Sequence, residues 1–79
     1  MQQTTAFAIR GIIKVLRDEG ILDQRQTALI IDELAAADAE AERRRQASPN
    51  ERYHLRLLAI DVAKEAGINP PFEHAVSHT

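Results

Sequence analysis

The sequence predicts an all-α protein, with three helices in an antiparallel bundle and an extended C-terminal tail that contains prolines. Three observations predict this fold. A long stretch after Asp23 has neither glycine nor proline, two amphipathic stretches end at Gly20 and Gly67, and two helix starts carry capping boxes. No alternating pattern typical of a strand occurs. The predicted helices cover residues 5–19, 24–46 and 49–66.

The second predicted helix, residues 24–46, is the longest and is rich in good helix formers. Asp23 precedes it and Gln26 follows three residues later, which is the spacing of a capping box. Arginines at positions 43–45 suit the negative end of the helix dipole. We expect the other helices to pack against this one. Its predicted apolar stripe consists of Thr27, Ile30, Ile31, Leu34, Ala37 and Ala41.

Small residues follow Leu34 in this helix, so a second helix is expected to approach Ala37 and Ala41 closely. Asp38 lies beside the stripe and allows two interpretations. We favour a boundary residue whose carboxylate reaches water. The alternative is a buried charge that is paired with an arginine and fixes the helix register.

The first predicted helix, residues 5–19, begins at a cap supplied by Thr4 or Thr5 and ends at Gly20. Residues 1–4 are expected to be mobile. The short connection to Asp23 predicts that the first two helices are antiparallel neighbours. Apolar residues cover nearly half of the circumference of this helix, which is more than one neighbouring helix can bury. Phe7 projects toward the polar side and is a candidate contact with a partner.

The third predicted helix, residues 49–66, has the clearest start, because Ser48 is the cap, Pro49 occupies the first turn and Glu51 completes a capping box. It carries a main apolar stripe and a second one. The second stripe needs a further partner. Pro70 and Pro71 then exclude helix, and residues 73–79 are expected to be mobile. The second stripe consists of Tyr53, Leu57 and Ile60.

The composition indicates a single small domain over residues 1–79. A core of this size contributes only a few kcal/mol, and the absence of cysteine excludes a disulfide that would reinforce it. The net charge of −2 argues against a large nucleic-acid or membrane surface. No stretch resembles a signal peptide or a membrane span, so we expect a cytoplasmic protein.

No catalytic or cofactor motif is present, and we expect neither enzymatic activity nor a cofactor. Ser48 is assigned to a cap and has no histidine–acid pair to activate it. Glu51 and His54 have the Glu-x-x-His spacing that occurs in di-iron bundles. However, Glu51 belongs to a capping box at the end of a helix. A carboxylate–histidine metal protein is therefore our third hypothesis, and no metal site is expected.

Arginines cluster around the second turn, where they suggest contact with phosphate groups. A DNA-binding or regulatory accessory protein is therefore the alternative function. The preceding helix is too long for a helix–turn–helix motif, and the acidic residues Asp38, Glu40 and Glu42 lie beside the arginines. We therefore expect exposed ion pairs rather than nucleic-acid binding. The arginine corner consists of Arg43–Arg45, Arg52 and Arg56.

The function predicted first is a small interaction module that self-associates, most simply as a homodimer, and works by binding another protein. The predicted homodimer completes the bundle. Its support is the wide apolar arc of the first helix, the second stripe of the third helix and the small core. The residues predicted to lie at the interface are Phe7, Ile12, Ala37, Ala41, Tyr53, Leu57 and Ile60.

Overall fold

The computed structural model describes residues 2–45 and 47–72, and these residues form three α-helices and no strand. The predicted all-α fold is confirmed, and the third helix has the predicted bounds. The second helix ends at Arg44, and the predicted end at Gln46 lies outside the described residues. None of the described helices combines the length and the apolarity needed to cross a membrane. The helices are α1 (Gln3–Asp18), α2 (Gln24–Arg44) and α3 (Pro49–Ala66).

Both predicted capping boxes are present. At the start of α2, the Gln26 amide donates to Asp23 Oδ1 at 2.7 Å, and the Asp23 amide donates to Gln26 Oε1 at 2.9 Å. At the start of α3, Ser48 and Glu51 exchange two bonds of the same kind, each 3.2 Å long. Each pair satisfies amide groups that have no partner within the helix, which fixes where the helix begins.

The start of α1 differs from the prediction. The helix begins at Gln3, so Gln3 and Thr4 are helical, and the expectation that Thr4 or Thr5 is the cap is wrong. Gln2 occupies the cap position and its side chain accepts no bond there. Met1 and residues 73–79, whose mobility was also predicted, lie outside the described residues.

The central helix is α3, not α2 as expected. It makes the main helix contacts with both α1 and α2, whereas α1 and α2 approach each other only weakly. The Gln24 side chain, at the start of α2, bonds the Ala66 carbonyl at the end of α3, so these two helices are antiparallel. Arg10 of α1 pairs with Asp61 of α3, and Phe7 lies near His54, so α1 runs parallel to α3. The bundle is therefore up–down–up.

The core lies where α3 meets the other two helices. Ile13 of α1 and Ile31 of α2 converge on Leu58 and Val62 of α3, and all four are buried. Aliphatic side chains build this cluster, as the low aromatic content predicts. The main stripe of α3 thus meets both neighbouring helices, whereas Leu57 of the second stripe lies beside α1.

The second stripe of α3 is partly covered within the single chain, and its contact with a partner molecule stays a prediction. Ile60 is only 7% exposed within the single chain, and Tyr53 and Leu57 are half-buried. Leu57 lines a notch between α1 and α3 together with Phe7. We expected α1 and α2 to pack on each other as a hairpin that covers one stripe of α3. Instead, α3 separates α1 from α2 and contacts each of them.

Asp38 is the main correction to the sequence-based interpretation of α2. Its side chain is buried rather than in contact with water, with 2% of the residue exposed. Arg52 Nε lies 3.0 Å from Asp38 Oδ1, and Arg56 Nε lies 2.8 Å from Asp38 Oδ2. A second Arg52 nitrogen bonds Glu42 at 3.1 Å. The carboxylate therefore holds two arginines of α3 against α2, as the less favoured alternative proposed.

The register of α2 follows from this ion pair. Asp38 faces α3 in line with Thr27 and Ile31, so Ala37 points to solvent and Ala41 is half-buried. Of the two expected neighbours of Ala37, the third helix of its own chain is wrong, whereas a helix of a second copy stays a prediction. Thr27 and Ile31 belong to the predicted stripe, but Asp38 continues it in place of Ala37, because an aspartate is not normally counted as part of an apolar stripe.

The segment after α3 returns toward the bundle. Gly67 adopts a left-handed conformation with φ of 68°, and the Ile68 amide bonds the Ala63 carbonyl at 2.8 Å. Ile68 packs against the core. The Arg56 guanidinium lies 4.9 Å from the centre of the Phe72 ring, a cation–π distance. The first part of the tail thus contacts an arginine that also binds Asp38.

We predict that Asp38→Asn lowers the free energy of unfolding by about 2–4 kcal/mol, because both arginines lose their shared charge partner in a mostly buried site. Burial tends to raise the pKa of Asp38, but the hydrogen bonds from Arg52 and Arg56 outweigh it and hold the pKa below its usual value. This contribution should be complete above about pH 4 and be lost as the pH falls toward the lowered pKa. Urea unfolding between acid and neutral pH measures both effects. Glu40→Gln is the exposed control.

We predict that Arg45→Gly raises the free energy of unfolding by about 1 kcal/mol, because Arg45 ends α2 with φ of 54° in the left-handed region, where a side chain is strained. The matched control is Arg44→Gly. Arg44 is helical, so glycine there should cost about 1 kcal/mol. Thermal unfolding of the two variants tests this prediction. Equal changes in melting temperature would contradict the assigned end of α2.

Candidate interaction surface

The outer face of α1, which we define as Ala8, Gly11, Ile12 and Val15, is the main apolar surface that the fold leaves uncovered. Ile12 is 60% exposed and Val15 is 59% exposed. These residues and Leu16 line a shallow open hollow. Phe7, at the edge of this face, is 52% exposed. Large aliphatic side chains exposed together on one helix face are typical of an interaction site.

The position of α1 in the bundle explains why this face is exposed. Ala6 and Ile13 are buried against the core, and the helical period places Ile12 and Val15 on the far side. Arg10 Nη1 lies 3.4 Å from Asp61 Oδ2, and Arg10 Nε lies 3.5 Å from Glu65 Oε1. These ion pairs also hold α1 against α3. Because α2 contacts α1 only weakly, α3 is the main helix that covers α1. The apolar arc of α1 is too wide for one helix to cover, so part of it stays exposed.

Gly11 is a mid-helix glycine that the fold of its own chain does not require. Its φ is not positive, and a Cβ built on it would meet no atom of residues 2–45 and 47–72 within 4 Å. Glycine inside a helix costs roughly 0.5–1 kcal/mol relative to alanine. No contact in the described chain offsets this cost. A second protein molecule could offset it, because the absence of a side chain lets that molecule pack closely against the α1 backbone.

The structure divides the seven predicted interface residues among different surfaces. Phe7 and Ile12 are exposed on α1, and Ala37 is exposed on α2. Ala41 is half-buried, and Ile60 is buried within the chain, as are parts of Tyr53 and Leu57. The seven do not form one continuous face: Ile12 lines the hollow on the outer side of α1, whereas Phe7 and Leu57 line the notch between α1 and α3.

Gly11 and Val15 are not among the residues that the sequence predicts at the interface. Val15 belongs to the wide apolar arc, but the arc alone does not say which part a second helix of the same chain covers. Gly11 gave a usable signal, since a glycine between Ile9 and Ile13 has no role as a helix end.

The arginine corner is largely neutralised by contacts within the chain. Arg52 and Arg56 have 21% and 18% of their side chains exposed and bind Asp38. The hydrogen bond to Asp38 raises the pKa of Arg52 further. Arg43 and Arg44 both pair with Glu40. Two of the arginines therefore stabilise the α2–α3 contact, which makes them poor candidates for binding phosphate groups.

Glu51 and His54 do not come together with further ligands. Among residues 2–45 and 47–72, no group of three or more His, Cys, Asp or Glu side chains is placed to hold a metal ion. The Ser48 backbone amide, followed by its hydroxyl, lowers the pKa of Glu51. The His54 ring instead meets the Tyr53 ring edge-on, with centres 5.1 Å apart. Glu51 thus serves the cap of α3.

Comparison with known proteins gives no relative. The chain matches no protein-family model, and neither a curated protein nor a solved structure is significantly similar to it.

We predict that Gly11→Ala raises the free energy of unfolding by about 0.5–1 kcal/mol in dilute solution, because alanine favours the helix and its Cβ enters open space. The matched control is Gly67→Ala, which places a side chain at a φ of 68° and should be destabilising. Urea unfolding at low protein concentration measures both changes. A loss of stability in Gly11→Ala would show that the chain itself needs this glycine.

Proposed function

We propose that this protein is a small helical interaction module that self-associates as a homodimer through the outer face of α1. The observation that carries the proposal is the exposure of Ile12 and Val15 beside Gly11, where a side chain would meet no atom of the described part of the chain within 4 Å. The proposed activity is binding, not catalysis.

A second copy of the chain is the occupant we propose, for two reasons. The module is small and contains no cysteine, so covering the outer face of α1 would add apolar burial that a core of this size lacks. The same face also carries both small and large residues, which allows it to complement itself about a two-fold axis, the commonest symmetry of homodimers.

The size of the surface sets the expected strength of association. A contact made by one four-turn helix falls among interfaces below about 1,200 Å² in total, which are typical of transient complexes. We therefore expect a reversible dimer with a dissociation constant in the micromolar range, equivalent to roughly 8 kcal/mol. Lys14 and Asp18 flank the face and pair with each other at 3.7 Å, so dimerisation need not bury an unpaired charge.

We predict that Ile12→Lys abolishes dimerisation, because it places a charge in the centre of the proposed contact. Light scattering of the full chain between roughly 10 and 500 μM should show a mass that rises toward two chains for the unchanged protein and stays at one chain for the variant. Circular dichroism checks that the variant is folded, which is expected since Ile12 is exposed.

The matched control is Leu29→Lys, since Leu29 is an equally large residue that is 50% exposed on α2. This variant should dimerise like the unchanged protein. A strictly monomeric unchanged protein up to about 1 mM would refute self-association. Dimerisation that resists Ile12→Lys but fails in Leu29→Lys would place the contact on α2.

A further inference from the structure

We infer that the two copies join through α1 helices that run antiparallel, around a two-fold axis midway between Gly11 and Ile12. The inference rests on the proposed homodimer and adds the arrangement of the second copy. It follows from the order of side-chain sizes along the outer face of α1, and from the charge at its end.

Two small residues precede two large ones along this face, in the order Ala8, Gly11, Ile12, Val15. In an antiparallel pair with this axis, Ala8 lies level with Val15 of the second copy, and Gly11 lies level with Ile12 of the second copy. Each level then contains one small and one large residue. The layers have equal thickness, so two straight helices can remain in contact along their whole length.

A parallel pair lacks this match. Ala8 would lie level with Ala8 of the second copy, and Val15 with Val15 of the second copy. One end of the contact would be thin and the other thick, which leaves a gap beside the alanines. The hollow around Ala8 and Gly11 in the single chain is the space that Ile12 and Val15 of the second copy would occupy.

The charged end of α1 favours the same arrangement. Glu19, which follows the last helical residue, is exposed on the continuation of the outer face. In a parallel pair it would lie level with Glu19 of the second copy, and like charges at an interface repel. In the antiparallel pair it lies level with Thr4 of the second copy, whose hydroxyl can donate to the carboxylate. The opposed helix dipoles also attract.

Cysteine cross-linking tests the orientation, because the natural chain contains no cysteine and each introduced thiol is unique. Ala8→Cys and Val15→Cys proteins are mixed in equal amounts, oxidised gently and analysed by intact mass spectrometry, which separates the three disulfide dimers. We expect the mixed disulfide to form at least about tenfold faster than either symmetric one, because a disulfide requires Cα atoms within roughly 7 Å. Leu29→Cys supplies the background rate.

The possible results separate the orientation from the proposed function. Dominance of the mixed disulfide supports the antiparallel pair. Dominance of the symmetric disulfides overturns it in favour of a parallel pair. Rates at the Leu29→Cys background, while light scattering shows a dimer, overturn the α1 contact but leave self-association intact. A monomer in light scattering overturns both.

A size exchange provides a second test that needs no cysteine. Ala8→Val alone places two valines at each of the two levels where residue 8 meets residue 15 of the other copy, and it should weaken dimerisation about tenfold by overpacking. Adding Val15→Ala restores one small and one large residue at each level in the antiparallel pair, so dimerisation should return to within about threefold of the unchanged protein. Failure of the double variant to recover would contradict the register, since Ala8 is exposed and the exchange leaves the core intact.

Discussion

The contact of Asp38 with Arg52 and Arg56 is the constraint on which the arrangement of the bundle depends. One carboxylate, buried at the distal half of α2, receives hydrogen bonds from two guanidinium groups on α3. A charge in that position is unfavourable unless it is paired, so only registers that bring both arginines to it are acceptable. Leucines and alanines alone would tolerate a helix shifted by one turn, and this ion pair would not. The contact therefore specifies how α2 lies on α3.

Local rules predicted the helices well, because their ends depend on neighbouring residues. The Asp23 and Ser48 caps and the left-handed Gly67 all follow from side chains within a few positions. Arg45 is an exception, since nothing in its side chain favours a left-handed conformation. Periodicity did not predict which helix is central. It identified two stripes on α3 but could not say that α1 and α2 would both meet the main stripe, because that choice depends on contacts between distant residues.

The candidate surface was predicted only in part for the same reason. The apolar arc of α1 was evident from the sequence and includes Ile12, whereas Phe7 was named as an exposed aromatic residue on the polar side of the helix. Which half of the arc faces solvent depends on Arg10 reaching Asp61, a pair separated by most of the chain. Asp38 was misplaced because polarity normally indicates exposure, and its two arginine partners lie beyond a turn. In each case the prediction lacked a contact between residues that are far apart in the sequence.

The central place of α3 has a consequence for biosynthesis. During translation α1 and α2 leave the ribosome before α3, and they have little contact with each other. Their apolar sides must therefore remain unprotected until α3 emerges, because the residues that cover Ile13 and Ile31 are Leu58 and Val62. Folding is accordingly a late event that closes loops as long as the one between Arg10 and Asp61. If a ribosome stalls before α3 emerges, the apolar sides of α1 and α2 stay exposed. Exposed apolar surfaces of this kind are bound by chaperones.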